Sequence, residues 1–81
     1  MRQRVFVDVD KRDLTTTLLG GRMALPIVLA PTGLTGMQHA DGEILACRAA
    51  HAAGIQFTLS TMSICSIEAV ATANPKPFWF Q

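Results

Sequence analysis

Tyrosine is absent from this 81-residue chain, charged residues make up only 16% of it, and tryptophan occurs once. No apolar run reaches ten residues, far short of the ~20 needed to span a bilayer. The formal net charge of +1 provides no electrostatic footprint for nucleic acid or an anionic membrane. Arg2, Arg4, Lys11, Arg12 and Arg22 gather in the first quarter, but Asp8, Asp10 and Asp13 are interleaved with them, giving a solvated mixed face and not a basic patch. No secretory leader is visible in the first residues, which points to the cytoplasm. Cys47 and Cys65 stand 18 residues apart and form no CxxC pair, so both read as buried small hydrophobes. With only His39 and His51 to add, the ligand inventory supplies no metal site. The GxSxG elbow and the GxGxxG fingerprint are missing, and Gly33-Leu34-Thr35-Gly36 lacks the lysine of a phosphate-binding loop.

What is present is apolar: 49% of the residues are hydrophobic. A chain of this size buries only roughly 60–65% of its unfolded surface, so a free-standing domain should carry more charge. The composition is that of a larger protein's interior, and a partial domain is expected. No repeat or linker suggests a second domain.

The stretch Pro26-Ile27-Val28-Leu29-Ala30-Pro31-Thr32-Gly33 is the most informative segment. Its uninterrupted apolar run, flanked by breakers, fits a strand buried on both faces, as in parallel sheets covered by helices. The Pro-Thr-Gly that follows is either a plain strand-ending turn or a place where a ligand approaches the backbone. Upstream, residues 5–7 suggest a short strand. Residues 15–19, Gly20-Gly21 and residues 22–25 read as a hairpin turning at the glycine pair, able to cap the end of a barrel or sheet. After a polar loop, Asp41 is a candidate N-cap with Glu43 in the first turn facing the helix dipole. An alanine-rich helix over residues 44–53 follows, stopped by Gly54. Residues 57–60 form a strand, Ser66 caps a helix over residues 67–73, and residues 78–80 begin a third strand after an Asn-Pro-Lys-Pro turn. The order hairpin, β, α, β, α, β argues for an α/β fold with a parallel sheet. The last strand would expose an apolar edge.

In such sheets the loops beyond the carboxyl ends of the strands build the site. Three would converge: Pro31-Thr32-Gly33, Ser60-Thr61-Met62-Ser63 and Gln81. The hydroxyls of Thr32, Ser60, Thr61 and Ser63, with the Gln81 amide, suit a planar heterocycle with carbonyl and ring-nitrogen edges. They suit proton transfer poorly, because no histidine or carboxylate stands at a strand end. Ser63 and Ser66 also read as turn and cap residues. His39 reads as a surface loop residue, His51 as an exposed or packed helix residue, and Phe78, Trp79 and Phe80 as core.

At these residues the chain resembles the FMN-dependent L-2-hydroxy-acid dehydrogenases and oxidases, most of all the cytochrome- or quinone-linked L-lactate dehydrogenases. The matching segments are residues 13–20, 23–33, 37–43, 57–68 and 78–81, in the family's order and spacing across nearly the whole chain. The resemblance implies a portion of a TIM (β/α)8 barrel, about its first three strands plus an N-terminal hairpin, with FMN at the carboxyl ends. It implies that Pro31, Thr32 and Gly33 lay their backbone against the flavin ring, that Ser60 hydrogen-bonds the flavin, and that Gln81 contacts its pyrimidine edge. The family's catalytic histidine, its aspartate partner, the substrate arginine and the phosphate site would fall beyond Gln81, and a substrate-contacting tyrosine before Met1. No catalytic residue is therefore assigned here, and the 81 residues alone should be inactive.

For the parent, the resemblance implies oxidation of a small L-2-hydroxy acid such as L-lactate. Glycine at 33, where some oxidases carry alanine, implies a quinone or cytochrome acceptor and poor use of oxygen. A cytoplasmic location, or a peripheral one at the inner face of the cell membrane, and a homo-oligomer at full length are also implied. The alternative is a non-catalytic flavin-binding or self-associating barrel segment.

Overall fold

The structure, a computed structural model, describes residues 12–81. The strand expected at residues 5–7 lies outside the described residues. The elements run β1 (Thr16–Leu18), β2 (Gly21–Met23), β3 (Val28–Leu29), α1 (Thr35–Gln38), α2 (Gly42–Ala52), β4 (Gln56–Leu59), α3 (Ile67–Ala73) and β5 (Trp79–Phe80).

The hairpin of β1 and β2 pairs Thr16 with Met23 and Leu18 with Gly21. Its loop is Leu19-Gly20, with φ of 50° and 80°, the double positive φ of a type I′ turn. The turn therefore falls one residue earlier than Gly20-Gly21. Gly21 is needed as a strand residue opposite Leu18, and Gly20 takes the second loop position. Nothing lies within 4 Å of a Cβ built on Gly20, so backbone conformation and not space calls for glycine there.

β3, β4 and β5 form a parallel sheet in that order, with Leu29 opposite Phe57 and Leu59 opposite Phe80. The central strand is the buried one: Phe57, Thr58 and Leu59 are all shielded. The first strand departs from the expected double coverage. Val28 and Leu29 are half-buried and Ile27 is 48% exposed, because β3 is an edge strand among the described residues, paired on one side only. Phe80 on the other edge is 53% exposed and not core as expected, because it too sits on an edge strand paired on one side among the described residues.

The helices pack on one side of this sheet. α2 turns Cys47 and Ala50 inward, α3 adds Val70, and these join Phe57 and Leu59 in one core. Phe78 packs edge-on to Phe57, with ring centroids 6.3 Å apart. Ser66 caps α3 as expected, its hydroxyl accepting from the Ala69 amide at 3.1 Å. Asp41 precedes α2 but does not cap it with its side chain. It adopts a left-handed conformation (φ 55°, ψ 28°), whereas a side-chain cap needs an extended backbone. α1 was read only as loop, since its single turn carries no apolar periodicity. The buried Asn74 amide ends α3, donating to the Val70 and Ile44 carbonyls.

The hairpin docks at the amino ends of the strands. The Ala24 amide donates to the Gly54 carbonyl at 2.8 Å, and a Cβ on Gly54 would come within 2.8 Å of the Ala24 Cβ. Gly54 also has φ of +75°, which glycine alone adopts readily. The carboxyl ends of β3, β4 and β5 are thus left free at the opposite end.

Candidate functional site

Three chain segments meet beyond those carboxyl ends. The Gln81 amide donates to the Leu59 carbonyl at 2.9 Å, extending the β4–β5 ladder by one bond and setting Gln81 beside Ser60. The buried Ser60 hydroxyl donates to Gln81 Oε1 at 3.2 Å and accepts from the Met62 amide at 3.0 Å. On the other side, the Leu34 amide donates to the Met62 carbonyl at 2.9 Å. A Cβ on Gly33 would stand 3.1 Å from the Met62 Cβ. The loops after β3 and β4 therefore touch, and glycine at 33 permits the approach.

Pro31, Thr32, Gly33 and Gln81 are exposed, with Ser60 set beneath them. Thr32 Oγ1 donates to the Ala30 carbonyl at 3.2 Å, and Thr35 Oγ1 to the Thr32 carbonyl at 3.2 Å. These bonds fold the turn back on itself. Ser63 is a turn residue, its hydroxyl donating to the Cys65 carbonyl at 2.8 Å. Thr61 is exposed beside it. His39 is exposed, with Nδ1 2.8 Å from the Ala40 carbonyl, and His51 lies along α2 with its ring nitrogens 3.9 Å from Cys47 Sγ. Neither histidine joins the Ser60–Gln81 pair. The resulting rim is neutral, rich in hydrogen-bonding groups, and flat enough in chemistry to take a polar ring edge. Among the described residues no group of three or more His, Cys, Asp or Glu could hold a metal ion.

The residue that sequence reasoning missed is Glu43. Expected only to complement the helix dipole from the first turn, it is 2% exposed. Its Oε1 accepts from the Ile64 amide at 2.8 Å and from the Gly36 amide at 3.2 Å, so one oxygen grips both loops. Its Oε2 is buried and has no hydrogen-bond partner among the described residues. Burial pushes this carboxyl up, but the Ile64 amide, the adjacent Cys65 thiol and the Gly36 amide together hold it below the usual glutamate range. Burial, then the neighbouring Glu43 carboxylate, pushes the Cys65 thiol up. The glycines were the available signal. A Cβ on Gly36 would lie 2.7 Å from the Ile64 Cβ, and one on Gly42 2.8 Å from the Thr35 carbonyl oxygen, so both mark close backbone approach around Glu43.

A cavity of about 220 Å³ lies under the loops, lined among others by Ala30, Thr32, Thr35, Glu43, Ala46 and Ser60. A larger cleft of about 320 Å³ sits at the hairpin end, bordered by Arg22, His51, Gly54, Lys76 and Trp79. It lies at the amino ends of the strands, away from Ser60 and Gln81, and its lining holds no serine or threonine hydroxyl. Among the described residues no helix is long and apolar enough to cross a membrane.

Comparison with known proteins bears on the family and the fold. The sequence profile of the FMN-dependent dehydrogenases matches residues 1–81. An L-lactate dehydrogenase of Caulobacter vibrioides is 54% identical over the whole chain, which spans 21% of that relative's length. A solved structure of a soluble mutant of the membrane-associated (S)-mandelate dehydrogenase from Pseudomonas putida superposes with a TM-score of 0.86 at 41% identity, covering 99% of this chain and 23% of that one. A monotopic membrane (S)-mandelate dehydrogenase superposes with a TM-score of 0.87 at 42% identity, over 96% and 21% of the two chains. The β3–α2–β4–α3–β5 arrangement is a portion of a TIM (β/α)8 barrel, and the chain spans about a fifth of the length of the curated relatives it matches. The chain belongs to the FMN-dependent dehydrogenase family.

Proposed function

We propose that these residues form one wall of the FMN site in an oxidoreductase that converts a small L-2-hydroxy acid, L-lactate, to the 2-oxo acid. The observation that carries this reading is the Ser60–Gln81 contact at 3.2 Å, at the meeting point of three strand ends. A serine hydroxyl has one proton to donate, and here it goes to Gln81 Oε1. That bond fixes the amide so that its NH2 is left as a donor for a ring carbonyl. Pro31, Thr32 and Gly33 offer exposed backbone with little side-chain bulk at Gly33, which fits a flat ring lying against the chain.

FMN, when bound, supplies the two-electron acceptor for the hydroxy acid. The roles of this chain are to bind and orient: Pro31, Thr32 and Gly33 line the ring face, and Ser60 and Gln81 hold its polar edge. Polar contacts at that edge tune electron demand in the cofactor. No acid or base stands on this wall, so the histidine that takes the substrate's hydroxyl proton belongs to other parts of the barrel. The electrons pass on to a quinone or cytochrome, in a homo-oligomer that is cytoplasmic or peripheral at the inner membrane face. The membrane association of the mandelate dehydrogenases supports the peripheral reading.

The test is the complete gene product that carries these residues. Purified protein should retain flavin, and L-lactate should bleach its visible absorbance without air. Flavin retained but unbleached by any L-2-hydroxy acid would favour a non-catalytic flavin-binding segment. Concentration-dependent association with no flavin would favour the self-associating one.

A further inference from the structure

We propose that Glu43 is a positioning residue for the flavin wall, acting through the two backbone amides that it clamps. The proposal rests on the flavin reading above. Glu43 lies in the first turn of α2, yet its Oε1 reaches forward to Ile64 in the loop after β4 and back to Gly36 in α1, the single turn that continues the β3 loop. Those loops carry the wall. Gly36 is three residues from Gly33, and Ile64 is four residues from Ser60. The Leu34 amide already ties the loops directly through the Met62 carbonyl, and Glu43 closes a second, bridged tie alongside it. Two ties fix the separation and tilt of the loops, whereas one would leave a hinge.

The arrangement is costly as a mere staple. Burying a carboxylate is unfavourable unless it is well hydrogen-bonded, and Oε2 finds no partner among the described residues. A carboxylate makes charge-assisted bonds to amides, roughly twice as strong as neutral ones. It thereby holds Gly36 and Ile64 rigidly, and through them the Gly33 backbone and the Ser60 hydroxyl. Preorganised support of this kind determines whether binding groups stand at the right distance from a ring.

The experiment compares Glu43→Ala and Glu43→Gln with the wild type in the complete gene product. Three readouts apply: hydrogen exchange at the Gly36 and Ile64 amides in the apoprotein, FMN affinity by fluorescence titration, and the bound flavin's visible spectrum. Ala should lose protection at both amides and weaken FMN ~10-fold, with a shifted flavin band, as expected when two charge-assisted bonds to part-buried amides are lost. Gln keeps an acceptor at the Oε1 position and should restore both within ~3-fold. Ser66→Ala, which removes a cap from α3 (3.1 Å bond), serves as the destabilised control and should leave FMN affinity and spectrum unchanged.

Three results would overturn the proposal: both amides protected in Ala, exposed amides with wild-type FMN affinity and spectrum, or Gln as weak as Ala. If Ala fails to fold, Glu43→Asp takes its place, and its shorter arm should loosen the Gly36 bond before the Ile64 bond. Loss of both bonds together in Asp would also overturn it. A wild-type protein that takes up no FMN sinks the flavin reading itself, while amide exchange still reports whether the clamp exists.

Discussion

The two ends of β4 are held by different chemistry. At the amino end, Gly54 meets Ala24 backbone to backbone, with a 2.8 Å amide–carbonyl bond and no room for another carbon. At the carboxyl end, side chains join the backbone: beside the Leu34–Met62 and Gln81–Leu59 backbone bonds, Glu43 and Ser60 bond to amides of the following segments and to Gln81. A backbone contact tolerates changes of polarity but not of size. A side-chain clamp tolerates changes of size at its margins but not the loss of its acceptor. The fold's rigid end and its binding end can therefore be perturbed separately.

The largest effect should come from Glu43→Ala, which removes two charge-assisted bonds to part-buried amides and should cost about 2–4 kcal/mol. Urea denaturation of the complete gene product checks this, and a loss below about 1 kcal/mol would erase the contrast between the ends. Next is Gly54→Ala, which forces a side chain into positive φ and against Ala24. A cost of about 1–2 kcal/mol is expected, with FMN affinity unchanged. A flavin defect in that variant would show that the two ends are coupled.

The clamp should also be sensitive to acid. The Glu43 carboxyl is held below its ordinary value of 4.5 in the folded chain, so folding favours its ionised form. The associated stability is fully present above that ordinary value and is lost as pH falls through the lowered folded value. Denaturation midpoints measured between neutral and acid pH should fall more steeply for the wild type than for Glu43→Gln, which has nothing to protonate. The smallest effect belongs to Ser66→Ala, at about 1 kcal/mol for a lost cap, visible in thermal melts and silent at the flavin wall.

The parts legible in the sequence were those governed by local rules. Ser66 was readable as a cap because serine before an apolar helical run has one strong local use, and Gly54 because a glycine ends an alanine-rich helix. The convergence of Ser60 and Gln81 followed from alternation of strands and helices, which fixes parallel strands and so fixes which ends meet. Three readings failed where a contact outside the local pattern decides. Asp41 looks like a cap, but its backbone is left-handed, and the next residue, Gly42, packs closely against the Thr35 carbonyl. Leu19 occupies the turn because strand register overrides the local preference for a glycine pair. Glu43 looks like any solvated first-turn acid, and only the Ile64 amide 21 residues later reveals its use. Burial of residues 27–30 was overestimated, since coverage of an edge strand depends on neighbours beyond the described sheet.

That long reach has a consequence for how the polypeptide assembles. Glu43 meets Gly36 across 7 residues of chain but Ile64 across 21. Short-range contacts close early and long-range ones late. During synthesis α2 can form with its carboxylate still wet and gripping only the loop behind it. The acid is desolvated when the following β–α segment arrives and donates the second amide. The Glu43 grip can therefore be completed only once residue 64 is in place, after the pairing residues of β3 and β4 and the Leu34–Met62 tie are already available.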